Sequence, residues 1–154
     1  MLVRRGIRRP ARRPGATIVE LAIIYPSLFL VLFGLILGAI AVFRYQQVAQ
    51  LAREGSRYAA VHGYNWATEN SQLATTPNDV YEKAVRPRAT SMDPSKMTCS
   101  VAWDINQRPY HTVVRNDQVV PVTNNVIVTV TYRWDALLFG PVTLKSTSVS
   151  SMHY

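Results

Sequence analysis

The chain has 154 residues, enough for one modest domain, and a formal net charge of +8. Such a basic balance suggests a nucleic-acid partner, but 6 of the 17 lysines and arginines lie in the first 15 residues, which contain no acidic residue. The remaining 11 basic residues face 9 acidic ones. The excess charge therefore belongs to an N-terminal leader, and we predict no nucleic-acid-binding face.

The leader precedes a long apolar segment. Residues 21–43 carry no charge, and as a helix these 23 residues would span roughly 34 Å, against a hydrocarbon core of about 30 Å. Basic residues beside a membrane segment favour the cytoplasmic side. We therefore predict a single-pass membrane protein with a cytoplasmic N-terminus and residues 44–154 outside the cytoplasm. The leader's basic residues are Arg4, Arg5, Arg8, Arg9, Arg12 and Arg13.

Residues 16–62 are predicted to form one long helix that ends at Gly63. Its first part is apolar on all sides, and Pro26 should kink it. Its second part carries a narrow stripe of mostly small residues, with charged residues beside it. This stripe either continues a contact between subunits or packs onto the protein's own sheet, and we favour the second. It consists of Tyr45, Val48 or Ala49, Ala52, Ser56 and Ala59.

Residues 63–154 are predicted to form a small domain of mixed structure. A short helix near residues 78–85, capped by Asn78 or Asp79, precedes strands over 97–105, 113–120, 125–134 and 142–152. Residues 113–120 form a hairpin around Asn116-Asp117. The strand at 125–134 should bury Val126, Val128, Val130 and Tyr132, and the last strand should place Val142, Leu144, Ser146 and Ser148 on one side. The last two strands are joined by an apolar linker, Leu137, Leu138 and Phe139. The predicted fold class is α+β: a long transmembrane helix followed by an antiparallel sheet.

No arrangement of residue types points to catalysis. His62, His111 and His153 lack partners at metal-binding spacing, and there is no glycine-rich phosphate loop. The one cysteine, Cys99, excludes an internal disulfide and is expected to act as a small buried hydrophobe. We predict no enzyme activity, no cofactor, no metal and no small-molecule substrate.

The junction between leader and apolar segment contains Glu20. A carboxylate at a helix N-terminus gains ~0.3–1 kcal/mol from the helix dipole and avoids most of the penalty for charge at the bilayer centre. A simple anchor therefore tolerates it. A cleaved export signal ending near Ala39-Ile40-Ala41 fits less well, because the apolar run is long and an acid at its start is atypical.

The stretch G-A-T-I-V-E, residues 15–20, resembles the processing site of type IV prepilins. ATIVELAIIYPSLFLVLFG, followed by AREGSRYAAVHG, resembles the TadE-like family of tight-adherence (Flp) pilus assembly proteins. That family has a proline in the membrane helix, matched by Pro26, and then the motif R-E-G-x-R-Y-A, matched here by Arg53, Glu54, Gly55, Arg57, Tyr58 and Ala59. The C-terminal pair of strands, VIVTVTYRW and VTLKSTSVSSM, joined by the apolar linker, also resembles the family. Leu21 stands where the family commonly has an aromatic residue.

This resemblance implies a pilin-like fold and a minor pilin-like subunit, a pseudopilin acting in pilus assembly and adhesion. Domains would be a leader (1–15), a long helix (16–62) and an extracytoplasmic domain (63–154). A prepilin peptidase of the bacterial inner membrane would cut between Gly15 and Ala16, and Glu20 would pair with the new amine of a neighbouring subunit. Gly34 and Gly38 form a GxxxG pattern for helix packing.

Expected partners are the membrane, the peptidase, other pilins or pseudopilins and the Tad assembly platform. The alternative is a membrane-anchored binding domain unrelated to pili.

Overall fold

The computed structural model describes residues 14–136 and 140–153. The arginine-rich leader before Pro14 and the predicted apolar linker Leu137, Leu138 and Phe139 lie outside the described residues. The chain divides after Ile40 into two compact units. We call the second unit, Ala41–Tyr154, the sheet domain.

The predicted long helix is present as α1 (Pro14–Val61), with Pro26 inside it. A stretch within Thr17–Val61 is long and apolar enough to cross a membrane, and none of that stretch is buried in the protein. A single apolar helix of this kind near the N-terminus suggests membrane anchoring. The predicted fold class, a long apolar helix followed by an antiparallel sheet, is confirmed.

The sheet domain contains a three-stranded antiparallel sheet of β1 (Met97–Trp103), β4 (Asn125–Ala136) and β5 (Gly140–Ser151). The strand order is β1-β4-β5, so β4 lies in the centre. The predicted alternation of β4 is confirmed, because its residues Val126, Val128, Val130 and Tyr132 are all buried. They share one core with the second half of α1, to which the helix contributes Val48, Leu51, Ala52, Ala59 and Ala60.

On β5, the inward face is partly as predicted. Leu144, Ser146 and Ser148 are half-buried, but Val142 is exposed and Ser150 is half-buried. The face is therefore displaced toward the C-terminal end of the strand.

A separate hairpin joins β2 (Tyr110–Arg115) to β3 (Gln118–Thr123). Asn116 and Asp117 form its turn, with φ of 51° and 56°. Positive φ at both central residues is the geometry of a type I′ turn, which matches the right-handed twist of paired strands. The predicted turn is confirmed, and the strands extend beyond the predicted range 113–120.

Short helical segments connect α1 to the sheet. They are α2 (Tyr64–Glu69), α3 (Pro77–Val80), a π-helical turn (Tyr81–Val85) and two 3-10 turns, Arg86–Arg88 and Pro94–Lys96. The predicted cap of α3 was wrong. Thr76 is the N-cap, and its hydroxyl accepts a bond from the amide of Asp79, whose carboxylate accepts bonds from the amide and hydroxyl of Thr76. Asp79 is therefore the reciprocal partner in a capping box rather than the cap.

Replacing Thr76 by alanine should lower the free energy of unfolding of the sheet domain by about 1 kcal/mol. The Thr76 hydroxyl and amide lower the pKa of Asp79. A carboxyl with a lowered folded-state pKa stabilises above its unfolded pKa, and that contribution disappears as pH falls through the folded value. The measurement is urea unfolding of the full chain in detergent, followed by tryptophan fluorescence. The free energy of unfolding should be higher for the wild type than for the variant at neutral pH, and this difference should shrink below about pH 4. Thr90→Ala, at an exposed threonine, is the control, and an equal loss in both variants would contradict the capping role.

Cys99 lies half-buried against the core, in line with its prediction as a small hydrophobe. Burial raises the pKa of its thiol to about 11, from an ordinary value of 9.0. Iodoacetamide should therefore alkylate it about a hundredfold more slowly than an exposed cysteine at mildly alkaline pH, because the thiolate is the nucleophile. The matched control is Ser100→Cys in a Cys99→Ser background, which moves the thiol to the neighbouring exposed position. Equal rates at the two positions, measured by mass spectrometry, would show that burial does not protect Cys99.

Candidate functional site

Gly15 of the predicted processing site is exposed and lies in the first turn of α1. A Cβ added at this glycine would meet no atom within 4 Å. The backbone of Gly15 and Ala16 is helical. A peptidase that binds an extended backbone would therefore have to unwind this first turn before cutting.

From Thr17 to Ile40, no side chain of α1 is buried. Large apolar side chains of this segment are open to the surroundings, among them Ile18 at 68 % and Leu30 at 75 % exposure. Glu20 is also exposed, and no lysine or arginine in the described part of the chain forms an ion pair with it. An apolar helix surface of this length requires lipid or another chain to cover it.

Gly34 and Gly38, predicted for helix packing, are both open. A Cβ added at either would meet no atom within 4 Å. Small residues four positions apart let a second helix approach the backbone closely in lipid. Nearby, Pro26 removes one backbone hydrogen bond, and the hydroxyl of Ser27 donates to the carbonyl of Ile23 at 3.3 Å.

Gly55 of the R-E-G-x-R-Y-A motif differs from those two glycines. A Cβ added at Gly55 would lie 3.0 Å from Val128 Cγ1 and 3.3 Å from Val85 Cγ2. The missing side chain thus lets α1 approach the middle of β4. Val128 pairs with Val101 of β1 and Ser148 of β5, so this contact lies over the centre of the sheet.

Ser56 fixes the same contact by a hydrogen bond. Its hydroxyl donates to the Arg53 carbonyl at 2.9 Å and lies 2.9 Å from the Ser148 hydroxyl. Because a hydroxyl carries one proton, Ser148 is the donor in the second bond. Ser56 is 2 % exposed, and these two bonds satisfy a polar group that would otherwise be costly to bury.

Among the other residues of the motif, Ala59 is fully buried and Glu54 and Tyr58 are half-buried. The carboxylate of Glu54 lies 3.7 Å from the Arg88 guanidinium, and the ring of Tyr58 stacks on His62 at 3.9 Å. Arg53 and Arg57 are exposed and line an open groove beside β5. The motif therefore packs on the sheet domain through its glycine, serine and alanine, and presents its two arginines to the outside.

Residues 15–57 match the TadE-like protein family. We call this range the TadE-like segment; it begins at the predicted processing glycine, includes Pro26 and ends at Arg57 of the motif. The strands lie outside the match. No match was found among curated proteins or among solved structures.

The TadE-like family is associated with the Tad pilus system and is not known to be enzymatic. The resemblance predicted from the sequence is therefore confirmed over residues 15–57, and the predicted resemblance of the C-terminal strands stays a prediction.

In the TadE-like segment, the stripe of small residues packs onto the protein's own sheet, as we favoured. Val48, Ala52 and Ser56 are buried by the sheet domain itself, as is Ala59 two residues beyond the segment. Tyr45, at the start of the stripe, is exposed. From Val48 onward the stripe is therefore occupied by the protein's own domain.

No group of three or more metal-binding side chains comes together among residues 14–136 and 140–153. His62 lies between the rings of Tyr58 and Trp66, and the Nδ1 atom of His111 lies 2.7 Å from Asn124 Oδ1. These two histidines thus have structural partners.

Two residues that the sequence did not single out organise the sheet domain. Asn124 is fully buried, and its side-chain amide donates to Asn106 Oδ1 and the carbonyl of Arg108. Its backbone also bonds Pro109 and Met152, so it ties the hairpin to the end of β5. Arg44, the first charged residue after the apolar run, donates to the carbonyl of Ser91 at 3.0 Å. Only Arg44 had a sequence signal, its position at the membrane boundary.

Proposed function

We propose that this protein is a minor pilin-like subunit, a pseudopilin, of a Flp/Tad type IV pilus system, acting in pilus assembly and adhesion. The observation that carries the proposal is the TadE-like match over a helix whose apolar surface has no covering partner in the described chain. Residues 21–43 anchor the protein in the bacterial inner membrane, with the N-terminus in the cytoplasm and residues 44–154 outside it.

Cleavage between Gly15 and Ala16 by a prepilin peptidase is the first step of the proposed mechanism. It removes the leader arginines, each of which attracts the anionic cytoplasmic leaflet by about 1 kcal/mol. The helix is then free to leave the lipid bilayer during assembly. Cleavage also creates an amine at Ala16, which is a cation that needs a partner in a dry helix bundle.

Glu20 of a neighbouring subunit supplies that partner in the proposed assembly. Its carboxylate lies among exposed apolar side chains, so a partner helix that covers them also reaches it. An ion pair in a dry helix bundle fixes the axial register of the helices more than it stabilises the bundle. The cost of removing both charges from water offsets much of their attraction. The open backbone at Gly34 and Gly38 supports close approach of that helix.

The mature N-terminus tests the proposal. Mass spectrometry of the protein from cells with and without the cognate peptidase should give a start at Ala16 only where the peptidase is present. Gly15→Val should block the cut, because a β-branched side chain hinders entry of the backbone into a narrow cleft, whereas Gly34→Ala should be cut normally. A start at Val42, or an intact leader in both strains, would favour a membrane-anchored binding domain unrelated to pili.

A further inference from the structure

The strand β5 is a free edge of the three-stranded sheet. It has 12 residues, and among the described strands it pairs with β4 alone. An edge strand presents unpaired backbone N–H and C=O groups, which can accept a further strand. Pro141 and Lys145, residues that discourage such pairing, lie in the first half of β5, and the second half contains only serine, threonine and valine.

A groove of about 480 Å³ runs along that second half. One wall of the groove is formed by Ser148, Val149 and Ser150, and the opposite wall is formed by residues of α1. Successive side chains of a strand point to opposite faces of the sheet. Three consecutive residues can therefore line one groove only where the groove opens onto the edge of the strand. The groove therefore gives access to the backbone of β5, and Val149 beside it is 59 % exposed.

The α1 wall of the groove is cationic. Arg53 and Arg57 lie one helical turn apart, and neither forms an ion pair or side-chain hydrogen bond within the described residues. Glu54 also borders the groove, but its carboxylate is directed to Arg88. Two guanidinium groups with free donors thus stand beside an unpaired strand edge.

We propose that β5 receives an extended acidic segment of another protein, which pairs with its backbone while its carboxylates bind Arg53 and Arg57. Strand addition supplies main-chain hydrogen bonds, and alternate side chains of the added strand supply specificity. A second copy of this chain fits poorly, because pairing two β5 edges would bring two cationic grooves together. A lipid phosphate offers acceptors only, whereas the strand edge offers donors and acceptors in alternation.

This inference does not depend on the pilus function, because the precursor and the mature chain contain the same groove. The test uses the full chain in nanodiscs of phosphatidylcholine and a fluorescent peptide of alternating valine and glutamate, about ten residues long. The acidic peptide should bind at least about tenfold more tightly than the same peptide with lysine for glutamate. The double variant Arg53→Gln, Arg57→Gln should lose about tenfold, and Arg115→Gln, an exposed arginine on the separate hairpin, should lose nothing.

Strand pairing is tested separately from charge attraction. Two versions of the acidic peptide are N-methylated at alternate residues, one at the odd positions and one at the even positions. At least one version should lose binding, because methylation removes the N–H donors that pair with β5. Unchanged binding of both versions would overturn strand addition. Equal binding of the lysine peptide would overturn the acidic partner.

Competing occupants give distinct results. Displacement of the acidic peptide by phosphatidylglycerol vesicles would assign the groove to lipid. Efficient self-crosslinking of a Val149→Cys, Cys99→Ser chain would assign the edge to a second copy. Either result would overturn the proposal, and neither would change the mature N-terminus on which the pilus function depends.

Discussion

Replacement of Gly55 by valine is expected to destabilise the sheet domain by about 1–3 kcal/mol or more. The Cβ alone would lie 3.0 Å from a methyl group of Val128, and the further methyl groups of valine have no space between α1 and β4. The free energy of unfolding of a small domain is marginal, so a loss of this size is a large part of it. Tryptophan fluorescence during urea unfolding of the full chain in detergent should report it.

Two matched substitutions separate crowding from helix propensity. Gly55→Ala should leave the free energy of unfolding nearly unchanged. The higher helix propensity of alanine stabilises the helix by about 1 kcal/mol, which offsets the cost of the close contact with Val128. Gly34→Val introduces the same side chain in the same helix where no atom lies within 4 Å. The sheet domain of this variant should keep its unfolding midpoint. Equal losses in the two valine variants would show that the space at Gly55 is not what makes glycine necessary.

Replacement of Glu20 by glutamine should leave the leader cleaved but reduce assembled pili to less than about a tenth of the wild-type number. Glutamine keeps the shape of the side chain and removes its charge, so the Ala16 amine of a neighbour would enter the bundle without a counter-charge. Pili are counted by electron microscopy, and mass spectrometry confirms cleavage in the same cells.

Ser27→Ala is the control for the Glu20 substitution. It removes a polar side chain from the same exposed stretch of α1, and that side chain bonds to its own helix at Ile23. Assembly of this variant should be close to normal. Normal piliation of Glu20→Gln would exclude the register pairing, even if the N-terminus begins at Ala16.

The sequence predicted the elements whose signal is local. The alternation of valines in β4 and the uncharged run of α1 each identify an element without reference to any other part of the chain. The turn at Asn116-Asp117 was equally clear, because few residue pairs accept positive φ at both positions.

Features that depend on contacts between distant parts of the chain could not be predicted. The Gly55 motif was recognised, but its close approach to Val128 becomes visible only when α1 lies on the sheet. Asn124 resembles any polar residue before a strand, and its burial follows from the meeting of the hairpin with the end of β5. Thr76 was missed for another reason: Asp79 is itself a good cap, and sequence alone does not decide which of the two begins the helix.

The division of α1 after Ile40 means that different surroundings stabilise the two parts of one helix. Before that residue its side chains have no covering partner in the described chain, so in a membrane its hydrogen bonds would be maintained by the absence of water in lipid. After it, helicity depends on packing against the sheet. For a chain anchored in a membrane, a denaturant that acts through water would therefore melt the second half with the sheet domain and leave the first half helical. Unfolding of the whole chain is then not a two-state process, and no single free energy describes it.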